Sequence, residues 1–316
     1  MKINLINSLL SIISLSLWMQ CAKAPGRDTK DTPNTGEITV IADETLLPIA
    51  DAQAQVFNAT YDRAHIHMRY KSEVAAVNDL LNDSTPMIII GRQLKPEEKA
   101  FFDSRQLMPQ QTKVALDGIA LITHKSNLDT AITYQQAVKI LRGEITNHKQ
   151  LGKGNNMNIN LVFDNANSGT VSFILNEIGA TGLPKNAFAT KTNTDAIHFV
   201  AENEDAIGIV GWSWLSDSDD PKTKKFLEKI NVIGITPKHD SFPKGSYRPY
   251  QLAMKQNLYP FTRPVYCIVR DRSAGLASGF SRFIFSDIGQ KIMMKAGIVP
   301  AEEPERVIEI VNKPIQ

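Results

Sequence analysis

The stretch from Phe163 to Phe173 combines an apolar end (Phe163), a short polar turn (Asp164-Asn165-Ala166-Asn167) and the start of a second apolar-periodic run at Ser168-Gly169-Thr170-Val171. This order predicts a strand, a turn and the first turn of a helix. A helix start leaves N–H groups without intrahelical partners at the positive end of the dipole, which suits them to an anion. Ser168 and Thr170 add hydroxyl donors, Gly169 lets a ligand approach the backbone, and Asn167 or Ser168 is fit to cap the helix. An ordinary capped helix uses the same residue types, so the surrounding elements decide the matter.

Those elements alternate. From Glu37 onward, β-rich runs are expected at 38–42, 65–70, 87–90, 113–116, 119–123, 159–163, 207–210, 232–235 and 265–269. Between them lie amphipathic helices, one with Ile49, Ala52, Val56 and Phe57 on its apolar face, and others at 73–82, 96–104, 133–141, 168–178, 194–201, 276–285 and 289–296. Strand and helix in alternation predict an α/β architecture with a parallel sheet, whose ligands sit beyond the carboxyl ends of the strands. Four such loops carry chemistry: Asp43-Glu44-Thr45-Leu46, Gly91-Arg92-Gln93-Leu94, Asp117-Gly118 and Asn165 to Thr170.

With 316 residues, 42% hydrophobic and 22% charged, the chain is long enough for two domains with a core each. A formal charge of +2 provides no field for a polyanion, so nucleic acid is not an expected partner. Lys2 is followed by an uncharged apolar run from Ile3 to Met19 that ends at Gln20-Cys21, the layout of a secretory leader over 1–20. Cys21 sits where bacterial lipoproteins carry their lipid. A plain cleaved leader or an uncleaved anchor are the other readings, and all three place the body outside the cytoplasm. Residues 21–36 have the composition of a flexible tether. The remaining cysteine, Cys267, lies in an apolar run and reads as a buried thiol, so no disulfide framework is expected.

Catalytic signatures are missing: there is no Gly-x-Ser-x-Gly elbow, Walker loop or dinucleotide fingerprint. No enzymatic activity, cofactor or metal is expected. His65-x-His67 reads as a solvated strand face, Trp212 with Trp214 and Phe101 with Phe102 as packing, and the charges over 217–225 as a surface loop.

In their order, these segments resemble the periplasmic phosphate-binding proteins of bacterial phosphate ABC transporters. The resemblance is carried by Thr45-Leu46-Leu47-Pro48, Arg92 to Glu98, Val114 to Ala120, Ile140 to Asn147, Ser168-Gly169-Thr170 with Phe173, Ala206 to Trp212, Tyr259 to Tyr266, and Gly289 to Pro300. It implies a type II periplasmic-binding-protein-like α/β fold of two domains, with two crossover hinge strands near Asp117 and Pro264 and a ligand cleft between the domains. Residues 37–117 with 264–316 would form the first domain and 118–263 the second. The loop around Thr45 and Leu46 would face the helix start at Ser168 to Thr170 across an oxyanion. Two departures stand out, because the family's usual Arg falls at Asp164 and an acidic residue found in some members falls near Gly91.

Arg92 is the replacement cation to expect, with a surface ion pair to Glu97 or Glu98 as its other reading, and Asp43, Glu44 or Asp117 could accept the proton of hydrogen phosphate, which sulfate lacks. The predicted binding set is therefore Asp43, Glu44, Thr45, Leu46, Gly91, Arg92, Asp117, Asn167, Ser168, Gly169 and Thr170. The expected protein is a monomeric, membrane-tethered receptor that gives phosphate to an ABC permease. A receptor for another oxyanion or small acid, or an envelope sensing lipoprotein that has lost its ligand, are the alternatives.

Overall fold

The computed structural model describes residues 31–304 apart from 153–155, 218, 240, 242 and 272–274. The leader over 1–20 and Cys21 lie outside the described residues.

Twelve strands are described: β1 (Gly36–Asp43), β2 (Ala64–Lys71), β3 (Met87–Ile90), β4 (Gln110–His124), β5 (Ala131–Ile132), β6 (Asn160–Phe163), β7 (Ala187–Ala189), β8 (Ala206–Gly211), β9 (Ile230–Val232), β10 (Gly234–Ile235), β11 (Thr262–Val269) and β12 (Val299–Pro300). One continuous path runs β2-β1-β3-β11-β4-β8-β6-β7, and β9 and β12 also pair with β4. β1 pairs in parallel with β2 and β3, and β6 in parallel with β7 and β8, whereas β11 and β4 are antiparallel to their neighbours. β3 and β8 are buried along their whole length, as strands covered by helices on both faces must be.

The 15-residue β4 belongs to both halves of the path. Asp117-Gly118 looks like a turn in sequence, which is why two strands are predicted there. Pairing of Asp117 with Arg263 and of Gly118 with Thr262 carries one extended strand straight through. Two adjacent antiparallel segments thus join a first lobe, with β1 to β3, to a second, with β6 to β8.

Further differences have local causes. Val56 faces outward and Ala50, Gln53 and Ala54 face inward, which rotates the predicted apolar stripe of helix Leu47–Thr60. Lys222 to Lys225 are helical, in Pro221–Lys229, because Asp220 accepts from the N–H groups of Lys222 and Thr223. Residues 31–36 are docked where a tether is predicted: Asp31 Oδ1 accepts the Leu276 N–H at 2.7 Å at the start of helix Leu276–Phe285. A Cβ on Gly279 would overlap the Pro33 carbonyl oxygen at 1.8 Å, so only glycine admits this packing.

Candidate anion-binding site between the two lobes

Ser168 caps helix Gly169–Ile178, and its hydroxyl is fully engaged, accepting from the Val171 N–H at 3.2 Å and donating to Asp164 Oδ1 at 2.7 Å. Asn167 is exposed, its N–H closes an Asx turn on Asn165 Oδ1 at 2.9 Å, and the cap is Ser168 and not Asn167. Across from this helix start, at the end of β1, the Asp43 carboxylate caps the short 3-10 turn Glu44–Leu46. The Gly169 N–H donates to Asp43 Oδ2 at 2.9 Å, joining residues 126 positions apart. A Cβ on Gly169 would stand 2.2 Å from that oxygen, 3.0 Å from Glu73 Oε2 and 3.1 Å from Arg263 Nη1. The first N–H of the predicted cradle is therefore held by the chain's own carboxylate.

The cation of the site is Arg263, which sequence reasoning included only in the Tyr259 to Tyr266 segment and not among the binding residues. It is 0% exposed. Its Nη2 donates to Thr45 Oγ1 at 2.8 Å and to Asp117 Oδ2 at 3.1 Å, and Thr45 Oγ1 in turn donates to Asp43 Oδ2 at 2.9 Å. Gly91 lies against it, where a Cβ would be a tight 3.3 Å from Arg263 Cδ and Nη1. Arg263 Nε and Nη1 and the Thr170 hydroxyl are buried without a hydrogen-bond partner among the described residues.

Arg92, the cation expected from sequence, is engaged elsewhere. Its Nε donates to Glu73 Oε1 at 2.8 Å and its two terminal nitrogens grip Glu98 at 2.8 and 2.9 Å. The guanidinium tied to the start of helix Pro96–Asp103 holds Glu98 below the usual carboxylate range in spite of its burial. Leu46 is a core side chain at 0% exposure.

The far rim is built on Asn193, the first residue of helix Asn193–Glu202, which sequence reasoning also missed. Its amide nitrogen donates to Glu44 Oε2 at 2.7 Å and Asp164 Oδ2 at 3.1 Å, and its oxygen accepts the Gly211 N–H at 3.1 Å. Trp214 Nε1 donates to the Thr45 carbonyl at 3.1 Å, a third contact across the cleft.

Acid outweighs base in this cluster. Glu73 pairs with Arg92 and Asp117 with Arg263, which leaves Asp43, Glu44 and Asp164 on neutral donors. Burial pushes the Asp43 carboxyl up to about 7 against the pull of Arg263, with Glu73 and Asp164 adding to the rise. Burial also brings Glu44 to about 7, opposed by the hydrogen bonds from Asn193. Asp117 and Asp164 are raised by burial too, opposed by Arg263 and by the Ser168 hydroxyl respectively.

A family profile described as the PBP superfamily domain matches residues 28–287. The chain belongs to the PBP superfamily. Among curated relatives, the phosphate-binding protein PstS of Borreliella burgdorferi is 25% identical over 299 residues, covering 92% of this chain and 96% of its own. PstS of Staphylococcus aureus strain USA300 is 23% identical over 276 residues, covering 85% and 79%. Among solved structures, a Clostridium perfringens protein with bound phosphate superposes with a TM-score of 0.71 at 24% identity, over 84% of this chain and 100% of that one. An ABC-type phosphate transport receptor from Vibrio cholerae gives 0.62 at 21%, with the same coverages. Both share the PBP fold with this chain, and the two-lobed α/β arrangement is the superfamily's.

Proposed function

We propose that this PBP superfamily member is an extracytoplasmic solute-binding protein that takes a phosphate-class oxyanion between its lobes and delivers it to an ABC permease. The observation that carries this reading is the buried Arg263 with two N–H donors unpartnered beside an unpartnered Thr170 hydroxyl. Buried donors are nearly always satisfied, and a guanidinium fork matches oxyanion geometry. The names of the PstS relatives support the same ligand. Arg263 Nε and Nη1 and the Thr170 hydroxyl are three unpartnered donors, and the Gly169 N–H and the Thr45 hydroxyl, both now donating to Asp43, make five once that carboxylate is displaced. Micromolar binding needs about 8 kcal/mol, and charge-assisted hydrogen bonds contribute roughly 1.5–3 kcal/mol each before ordering costs, so five suffice.

The three carboxylates on neutral donors favour a ligand that carries a proton or brings one in with it. A fully deprotonated oxyanion would add charge to a cleft already rich in it. We assign residues 37–117 with 264–316 to one lobe and 118–263 to the other, with pivots at the β4–β11 crossing, a lipid on Cys21 and a monomeric working state. No helix among the described residues is long and apolar enough to cross a membrane.

Calorimetry with phosphate, arsenate and sulfate at pH 5.5 and 8 tests the reading. Phosphate and arsenate are expected to bind, more tightly at pH 5.5, and sulfate to bind at least tenfold more weakly. Absence of heat and of thermal stabilisation with phosphate and arsenate at both pH values would overturn it, in favour of an envelope sensing protein.

A further inference from the structure

The one carboxylate seated on the predicted cradle is the chain's own. Asp43 is 0% exposed, its Oδ2 accepts from the Gly169 N–H of the second lobe and from the Thr45 hydroxyl, and the approach is so close that a Cβ on Gly169 would displace that carboxylate. Glu44 reaches Asn193, and the Thr45 carbonyl reaches Trp214, along the same seam. All three contacts bind the turn after β1 to the second lobe, and none requires a guest.

We propose that Asp43 is a tethered internal anion that seats on the Gly169 amide, draws the lobes together without ligand and thereby rejects free carboxylates as ligands. The proposal rests on the oxyanion reading of the cleft for what displaces Asp43, but not for the closure itself. A free monocarboxylate offers two oxygens, as Asp43 does, yet it must give up translational freedom that the tethered group never had. It cannot compete. A tetrahedral oxyanion has further oxygens for the donors that Asp43 leaves unpartnered, Arg263 Nε and Nη1 and the Thr170 hydroxyl. It can therefore win where a carboxylate cannot. The internal anion also sets a threshold, since the apparent dissociation constant is the intrinsic one divided by the fraction of molecules with the cradle free.

The test compares the purified wild-type chain with Asp43→Ala, by small-angle scattering for lobe closure and by melting temperature for ligand uptake. Without ligand, the wild type is expected to be compact and unchanged by phosphate, and Asp43→Ala to have a larger radius of gyration. Formate at tens of millimolar should restore compactness and raise the melting temperature of Asp43→Ala while leaving the wild type unaffected. Phosphate should bind Asp43→Ala at least tenfold more tightly than wild type.

An Asp43→Ala protein as compact as wild type without ligand, and indifferent to formate, overturns the proposal even if both bind phosphate. If Asp43→Ala opens and formate closes it but phosphate binds neither protein, the internal anion stands and the phosphate reading falls. Gly169→Ala is the second variant, because its Cβ would be 2.2 Å from Asp43 Oδ2 and must expel that carboxylate. It should be extended without ligand, and a compact Gly169→Ala protein would also overturn the proposal.

Discussion

Replacing Asp43 by Asn removes a titrating charge while keeping an oxygen to accept the Gly169 N–H, so it isolates the electrostatic part of the site. In the folded chain the Asp43 carboxyl is raised from its ordinary 3.8 to about 7. An acid with a raised folded value keeps a proton that the unfolded chain has already released. Stability therefore falls as pH rises from about 4 to about 7, and is flat above that. At about 1.4 kcal/mol per pH unit, the three or so units amount to about 4 kcal/mol, an upper figure because Asp43 is coupled to its neighbours. Arg263 opposes the rise, while Glu73 and Asp164 face the group from other elements and reinforce it. Glu44, also brought to about 7, acts in the same direction from a partly solvated position. Urea unfolding at pH 5 and pH 8 measures this. The wild type should be less stable at pH 8, and Asp43→Asn should gain on it by up to about 3 kcal/mol between pH 5 and pH 8, the part of the span from 3.8 to about 7 that lies above pH 5. Equal pH slopes for the two proteins would refute the reasoning.

Two substitutions separate the arginines. Arg263→Met removes the fork and leaves Asp117 buried without its cation, so it should lower unfolding free energy by about 3–5 kcal/mol and weaken phosphate at least 100-fold by calorimetry. Arg92→Ala should cost roughly 3 kcal/mol by urea unfolding, since it strands Glu73, yet leave phosphate affinity within about twofold; a loss of binding equal to that of Arg263→Met would return Arg92 to the ligand.

What could be read from sequence was whatever a local pattern encodes. Helix Leu276–Phe285 and strand Met87–Ile90 have the bounds that their apolar periodicity predicts, and Ser168 caps the helix that follows it. The Arg92–Glu98 pair spans six residues, and the Glu98 carboxylate also closes the helix start, so that pairing was available as an alternative from spacing alone. The decisive contacts are distant. Arg263 meets Thr45 across 218 residues and Asn193 meets Glu44 across 149, and nothing in an apolar strand or at a helix start announces what lies opposite. The same holds for Asp43: sequence shows an acid fit to receive a ligand's proton, and only the folded chain shows it on the amide of Gly169.

Arg263 sits in register with Asp117, where the two strands shared by both halves run side by side. On the proposed pivots, a guest bound to Arg263 would sit at the axle, and the widest travel would fall on the rim, where Glu44 meets Asn193. A change at the rim would then alter movement more than it alters the guanidinium's grip.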